Sequence, residues 1–370
     1  MSATGGNGRQ GRVRIAVLFG GQSGEHDVSL RSAQTVMGAL DPARYEVVPV
    51  GITREGRWLT GGDPLAQLTA ASPLFALAGD APEPAAFTRS AATGPGALPA
   101  GLSADIDVVF PALHGPLGED GAVQGLLELA GLPYVGSGVL GSAVAMDKAI
   151  AKTILAQAGL PQARWRLVPR KEWERAPDEI AAGIGETIGF PCFVKPANMG
   201  SSVGVGKATD LATLAAAMNA AARHDRRIVV EEGVDARELE LSVLGNDEPI
   251  ASVAGEIVPC NDFYDYAAKY IDEGSRLIVP AAVDGSTMTQ LQELAIDAFR
   301  ALDLAGMARV DFFLDRRADR LLINEVNTIP GFTSISMYPK LWEASGVPLP
   351  ELVDRLIQLA LERHGDTRRA

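Results

Sequence analysis

Cysteine is scarce: Cys192 and Cys260 are the only two in 370 residues, and neither sits in a CxxC or Cys/His spacing. Two thiols cannot staple a chain of this size, which excludes a disulfide scaffold and a thiolate metal site. They read as buried or neutral thiols of a reducing compartment. Basic residues are in deficit, 33 against 46 acids for a net charge of −13, with no dense Lys/Arg run. That balance excludes the basic face of a nucleic-acid binder and long-range attraction to anionic lipid. Long hydrophobic runs are also missing. The N-terminal apolar stretch, residues 15–19, is too short for a signal h-region or a bilayer span, so a cytoplasmic protein with no nucleic-acid or membrane partner is expected. What is present is a hydrophobic fraction of 47%, a charged fraction of 21% and a mean hydropathy of +0.10. That mix supplies more core than one domain uses, and two or three domains are expected.

Strand and helix signals alternate at the start. Residues 14–19 form a compact apolar run closed by Gly20 and Gly21, the pattern of a buried parallel strand. A helix is expected over 29–40, a strand over 45–51 and another over 106–113, ending at His114. This alternation predicts an open α/β unit that takes ligands at the carboxyl ends of its strands. Residues 61–101 turn rich in Ala, Pro and Gly and read as an insert without assigned function. A second unit begins near Ser137. It carries Lys148 and Lys152 at i,i+4 on one helix face, a strand over 192–195, a glycine-rich loop over 198–206 and a strand over 228–232. The remainder holds a polar, tyrosine-rich stretch over 261–270, a hairpin and an amphipathic C-terminal helix whose apolar stripe reads as core.

The hairpin carries the most chemistry. Over 308–314 the pleat puts Arg309 and Asp311 on one face with Val310 and Phe312 on the other, and over 321–327 it puts Glu325 and Asn327 together. A hairpin centred on Ala318 sets Asp311 opposite Glu325 and Arg309 opposite Asn327. Opposed carboxylates repel across a ladder, so something positive must compensate. Hard divalent cations take carboxylate and amide oxygens, which makes Asp311, Glu325 and Asn327 a candidate Mg²⁺ site with positions left for nucleotide phosphates. The bland reading is a solvated charge cluster on an exposed hairpin, and a one-residue slip in register would undo the metal argument.

Other segments carry weaker signals. In 198–206, Gly200, Gly204 and Gly206 let backbone amides approach an anion, Ser201 and Ser202 add hydroxyls, and Lys195 precedes them on a strand. Walker A spacing fails, because Ala208 follows Lys207 where Ser or Thr is needed; the rival is a plain flexible turn. Glu25 lies in a glycine-containing turn between strand and helix and suits a cationic substrate group, unless it or Asp27 merely favours the helix N-terminus. His114 at a strand end is a site residue or a structural, hydrogen-bonded one. Tyr264, Tyr266, Lys269 and Tyr270 concentrate aromatic residues in a polar loop, which suggests a lid that keeps water from a reactive intermediate.

Taken together the motifs resemble the D-alanine–D-alanine ligase family of the ATP-grasp superfamily over nearly the full chain. The blocks that carry the resemblance are GGQSGEHDVSL (20–30), HGPLGEDG (114–121), MDKAIAK (146–152), FVKPANMGSSVGVG (193–206), VVEEGVDARELE (229–240), FYDYAAKY (263–270), ARVDFF (308–313) and NEVNTIPGFTSISMYP (324–339). The resemblance implies an α/β, three-domain ATP-grasp architecture: an N-terminal substrate-binding domain over 1–136 with the insert, a central domain over 137–234, and a C-terminal domain over 235–370 with the metal site and lid. It implies an enzyme that phosphorylates the carboxylate of one D-alanine with ATP and lets the amine of a second attack the acyl phosphate, for peptidoglycan precursors.

On the same ground Lys148 and Lys195 look like ATP phosphate contacts, with Lys269 reaching the γ-phosphate and Ser201 on the ATP side. Glu231 and Glu238 resemble the adenine-side and ribose acids. Asp311, Glu325 and Asn327 match magnesium ligands, with Mn²⁺ as an alternative ion and a monovalent cation left open. Glu25 resembles the ammonium anchor, in a hydrogen-bonded set with Ser202 and Tyr270 in which Ser201 is the alternative partner. His114 resembles a first-subsite histidine, Arg309 and the Gly331 N–H the oxyanion stabilisers, and Ser336 and Met337 the lining of the second subsite. Tyr270 in the lid favours D-alanine over D-lactate as second substrate, and the resemblance implies a homodimer. A different ATP-grasp ligase, a nucleotide-binding regulatory module and a nicotinamide dehydrogenase are the alternatives; the last lacks GxGxxG.

Overall fold

The computed structural model describes residues 11–72, 75, 91–95, 99, 105–258 and 276–367. Three sheets organise them, each with its own core. The N-terminal sheet contains β1 (Val13–Gly20), β2 (Tyr45–Ile52), β3 (Arg57–Thr60), β4 (Ala91–Pro95) and β5 (Val108–Pro111) in the order β4-β3-β2-β1-β5. Strand β1 runs parallel to both β2 and β5. It is apolar at every central position because helices cover both faces of a parallel sheet. Ile15, Val17 and Phe19 enter one core, Ala16 and Leu18 the other. Helix α1 (His26–Ala39) begins three residues before the expected start, α2 (Pro64–Ala70) follows β3, and α3 (Ala122–Leu129) packs on the far face. The expected insert is therefore part of this sheet where it is described, since β4 extends the edge through antiparallel pairing with β3.

Helices α4 (Val139–Met146) and α5 (Lys148–Gln157) come next in the chain, but Ala145, Ala151 and Leu155 pack with the C-terminal core rather than with the central sheet. The central sheet is β6 (Trp165–Pro169), β7 (Cys192–Pro196), β8 (Gly206–Ala208) and β9 (Arg227–Glu232), ordered β6-β9-β7-β8. It is backed by α6 (Arg170–Arg175), α7 (Pro177–Thr187) and α8 (Leu211–Ala222).

The C-terminal sheet is ordered β13-β12-β10-β14-β15, with β11 (Ile250–Ala251) on β10. Its strands are β10 (Ala236–Gly245), β12 (Gly255–Val258), β13 (Arg276–Ile278), β14 (Gly306–Asp315) and β15 (Leu321–Asn327). The long central strand β10 was not separated from its neighbours by sequence pattern. Leu239, Leu241 and Val243 of β10 and Ala308, Val310 and Phe312 of β14 face α9 (Gly285–Ala301) in one core. By period-two alternation, Glu238, Glu240, Ser242, Arg309 and Asp311 occupy the other face. The chain ends with α10 (Met337–Ala344) and α11 (Leu349–Thr367); Leu352, Val353, Leu356 and Ile357 of α11 close the N-terminal core, tying the two ends of the chain together. No described helix is long and apolar enough to cross a membrane.

Candidate active site

The expected hairpin register holds where it matters: Asp311 pairs with Glu325 and Arg309 with Asn327. Past Asp311 it shifts, so that Phe312 pairs with Ile323, and the extra residue in β15 is Asn324. A β-bulge of this kind re-aims a side chain. Here Asn324 Oδ1 accepts from Lys195 Nζ at 3.4 Å, across to the central sheet.

On the other side of β14, Glu240 pairs with Asp311. Glu240, Asp311 and Glu325 thus form a row across three neighbouring strands. The compensating charge anticipated from the sequence is Arg309. Its Nε and Nη2 donate to both oxygens of Asp311 at 2.7 Å each, and its Nε lies 3.1 Å from Glu240 Oε2. Burial alone would lower the Arg309 pKa, but Asp311 and Glu240 hold the guanidinium firmly protonated. Asn327 Nδ2 donates to Asp311 Oδ2 at 3.1 Å, and Lys148 Nζ stands 3.8 Å from Glu325 Oε2. Two carboxylates and an amide on one rigid face fit a hard divalent cation. The Asn327 amide that donates through Nδ2 also carries an acceptor oxygen, Oδ1.

Lysines from two elements approach this face. Lys148, at the start of α5, donates to Met199 O at 2.8 Å, in the glycine-rich loop. Lys195, at the end of β7, donates to Glu231 Oε2 at 2.8 Å. Behind them Lys152 lies 3.3 Å from Glu231 Oε1, and both side chains are only 3% exposed. Burial would raise the Glu231 pKa, but Lys152 and Lys195 together pull it below the usual carboxylate value. Burial likewise opposes the Lys195 charge, and Glu231 and Glu325 overcome it, raising its pKa. Lys152 is driven down by burial in spite of Glu231. Glu231, matched by resemblance to an adenine-side acid, holds Lys195 in this structure, while Glu238 lies on β10 opposite Phe313.

A third group gathers around Glu25. Glu25 stands at the N-cap of α1 without a side-chain capping hydrogen bond, and Asp27 is the acid of the first turn, where it pairs with Arg54 at 2.8 Å. The Glu25 carboxylate receives the hydroxyl of Ser201. Ser201 and Ser202 both have positive φ, 47° and 60°, a conformation that costs a non-glycine residue roughly 1–3 kcal/mol and clusters at functional sites. Gly200 precedes them, and a Cβ there would come within 2.9 Å of Glu25 Oε2. Glu119 is also close: it accepts from Gly115 N at 3.1 Å, and burial and then Glu25 push its carboxyl up to about 8.

His114 has both ring nitrogens engaged, Nε2 with Ser32 Oγ at 2.9 Å and Nδ1 with Ile329 O at 3.0 Å. The carbonyl can only accept, so Nδ1 carries the proton and Nε2 accepts from Ser32. Burial lowers its pKa, and the neutral ring joins the N-terminal domain to the loop after β15.

In that loop Ser336 covers Gly331, where a Cβ would meet its Oγ at 2.7 Å. Ser336 Oγ also receives Thr333 N at 3.0 Å. The Met337 side chain is buried with Ile257 and Leu341, so it offers a substrate the backbone at the start of α10. Lys269 and Tyr270, with Tyr264 and Tyr266, lie outside the described residues.

Sequence reasoning missed Glu240, Glu119 and Asn324. The alternation of Glu238 and Glu240 in ARELEL was a legible signal for the first; nothing local marks the bulge at Asn324.

The chain matches the family profile "D-ala D-ala ligase N-terminus" over residues 14–137 and "D-ala D-ala ligase C-terminus" over 154–358. It is 50% identical to a D-alanine–D-alanine ligase of Heliobacterium modesticaldum over 96% of both chains. A D-alanine–D-alanine ligase of Geobacillus kaustophilus is 49% identical, over 95% of this chain and 96% of the relative. Among solved structures, the D-alanine–D-alanine ligase of Coxiella burnetii matches with a TM-score of 0.76 at 37% identity, covering 97% of this chain and 96% of that one. A D-Ala:D-Ser ligase of Enterococcus faecalis matches with a TM-score of 0.78 at 34% identity, covering 95% and 100%. The chain belongs to the D-alanine–D-alanine ligase family of ATP-dependent ligases.

Proposed function

We propose that the protein forms D-alanyl–D-alanine from two D-alanines with cleavage of ATP to ADP and phosphate. The observation that carries this reading is the acidic row Glu240–Asp311–Glu325 with Arg309 embedded in it, facing Lys148 and Lys195 from other elements. Binding alone does not require that apparatus. Attack of a carboxylate on ATP brings anions together, and positive charge must neutralise the transferring phosphoryl group. Lys148 and Lys195 supply it. Asp311, Glu325 and Asn327 would hold Mg²⁺, or Mn²⁺ in its place, which when bound offsets phosphate charge.

Glu25, steadied by Ser201, binds the ammonium of the first D-alanine and so aims its carboxylate at the γ-phosphate. The second D-alanine places its carboxylate against the free N–H groups opening α10, beside Ser336, as helix N-termini favour. Its amine then attacks the acyl phosphate. The N–H of Gly331 and Arg309, freed from part of its pairing to Asp311, stabilise charge on the carbonyl oxygen, a contribution of about 3–4 kcal/mol for a well-placed donor. Tyr270 and Lys269 act from the lid, Ser202 beside Ser201, and Glu238 on the nucleoside side, while Glu231, with both oxygens facing lysines, acts by holding Lys195. His114 acts by fixing the loop that carries Gly331.

Leu117, Val139, Leu140 and Ile150 are large apolar side chains 38–62% exposed, surface that a homodimer would cover; light scattering at micromolar concentration is expected to give twice the chain mass.

Phosphate release from Mg·ATP with D-alanine, L-alanine, D-serine plus D-alanine, D-lactate plus D-alanine, or nothing, with mass spectrometry of products, tests the reading. D-Ala–D-Ala and ADP formed only from the D-enantiomer is the expected result. A depsipeptide or D-Ala–D-Ser as main product corrects the second substrate. No amino-acid-dependent phosphate release sinks the ligase.

A further inference from the structure

Among the described residues, Lys152 is the cation that its position least explains. It sits one helical turn beyond Lys148 on the same face of α5, but at a different depth: the Lys148 side chain is 16% exposed and Lys152 only 3%. Its ammonium makes no hydrogen bond among the described residues, and its one described ion pair is to Glu231 Oε1 at 3.3 Å. Burying a charge in this way is costly unless the charge has a task. The other oxygen of Glu231 holds Lys195 at 2.8 Å, and Lys195 continues to Asn324 Oδ1 on the opposite sheet. The order is thus Lys152, Glu231, Lys195, then the cleft.

We infer that Lys152 is a positioning residue for the nucleotide: it offsets Glu231 so that the buried cluster keeps one net positive charge, presented to the phosphates by Lys195. The charge count makes the argument. Glu231 is needed to orient the Lys195 ammonium, but a Glu–Lys pair alone is neutral and would hold Lys195 back from an anion. A second lysine on the far oxygen restores the net charge without competing for the cleft, because it is sealed behind Glu231. Lys152 acts through other residues and touches no substrate. Charges facing Glu231 from other elements are Lys152 on α5 and Lys195 on β7. Glu325 on β15 and Glu238 on β10 act on Lys195 in turn.

This inference rests on Lys195 being a nucleotide phosphate contact, and its test keeps the two apart. Affinities of the full chain for Mg·ATP and for adenosine are measured by calorimetry at pH 7, for the native protein and for Lys195→Met, Lys152→Met, Glu231→Gln and Lys152→Met/Glu231→Gln. Lys152→Met is expected to weaken ATP about tenfold, the size of one unit charge acting at short range through partly shielded surroundings, and to leave adenosine unchanged. Adding Glu231→Gln to Lys152→Met restores the net charge and is expected to recover most of that loss. An ATP affinity unchanged by Lys152→Met overturns the inference, as does an equal loss for adenosine or a double variant no better than Lys152→Met. Should Lys152→Met not fold, the comparison of Glu231→Gln with the double variant decides. Loss of Lys152 must still weaken ATP several-fold there, and equal ATP affinities overturn the inference. If Lys195→Met itself leaves ATP affinity intact, the nucleotide reading of the site fails and the inference falls with it.

Discussion

Asp311 and Glu25 are both buried carboxylates, 8% and 9% exposed, but they are held by different means. Asp311 sits in mid-strand, fixed by a ladder to Glu240 on one side and Glu325 on the other, and Arg309 clasps both its oxygens. Glu25 sits in a turn. Its position depends on Ser201 from the glycine-rich loop, and it lies close to Gly115 and Gly200 in two different loops. Phosphoryl transfer needs charges at fixed spacings, which strands give. An amino-acid pocket must open and close around its ligand, which segments of low local stability allow. The two regions are therefore expected to fail differently when altered.

The largest effect is expected at the sheet. Asp311→Asn keeps the shape and removes the charge that both Arg309 and a divalent cation use. Metal-dependent turnover should fall by at least ~100-fold with the fold intact, as steady-state kinetics over a Mg²⁺ titration would read. Next is Gly200→Ala. Its Cβ would stand 2.9 Å from Glu25 Oε2, and the carboxylate, being the end of a side chain, moves before the backbone does. The KM for the first D-alanine should rise about tenfold with the KM for ATP and the melting temperature little changed, because misplacement costs orientation rather than stability. Equal losses in both KM values would erase the contrast between the regions.

Asn324→Ala tests the bulge. It removes the contact to Lys195 at 3.4 Å, a long hydrogen bond, so a rise of only about two- to fivefold in the KM for ATP is expected. The smallest effect concerns Glu119. Folded, its carboxyl holds a proton up to about pH 8, against an ordinary value of 4.5. Between those values the folded chain binds more protons than the unfolded one, so stability falls as pH rises through that window. Glu119→Gln, neutral throughout, should flatten the dependence of melting temperature on pH between 5 and 8.

What the sequence made legible follows the same division. The pairing of Asp311 with Glu325 could be read because the side-chain period in a strand is two and the turn centre was marked by polar residues. The run in β1 announced a parallel strand because both its faces are covered. Asn324 escaped, since a bulge changes the register without changing the composition. The strand β10 escaped too, hidden in a stretch read only as a motif, and Glu240 went unnoticed with it. The Glu25 cluster joins segments some 90 and 175 residues apart, as the contacts Ser23–His114 and Glu25–Ser201 show. No local period reports such contacts, and there the family resemblance carried the expectation. It placed both serines near Glu25, and in the structure the Ser201 hydroxyl donates to the carboxylate.

In the proposed reaction a carboxylate of D-alanine attacks the terminal phosphate of ATP. D-alanine labelled with ¹⁸O in its carboxyl group, incubated with the protein, Mg·ATP and excess unlabelled nucleotide, tests it by mass spectrometry of the products. The expected products are ADP and inorganic phosphate carrying one ¹⁸O from the amino acid, lost from the dipeptide carbonyl carbon when the amine displaces phosphate. Label in AMP, or phosphate without label while dipeptide accumulates, would contradict it.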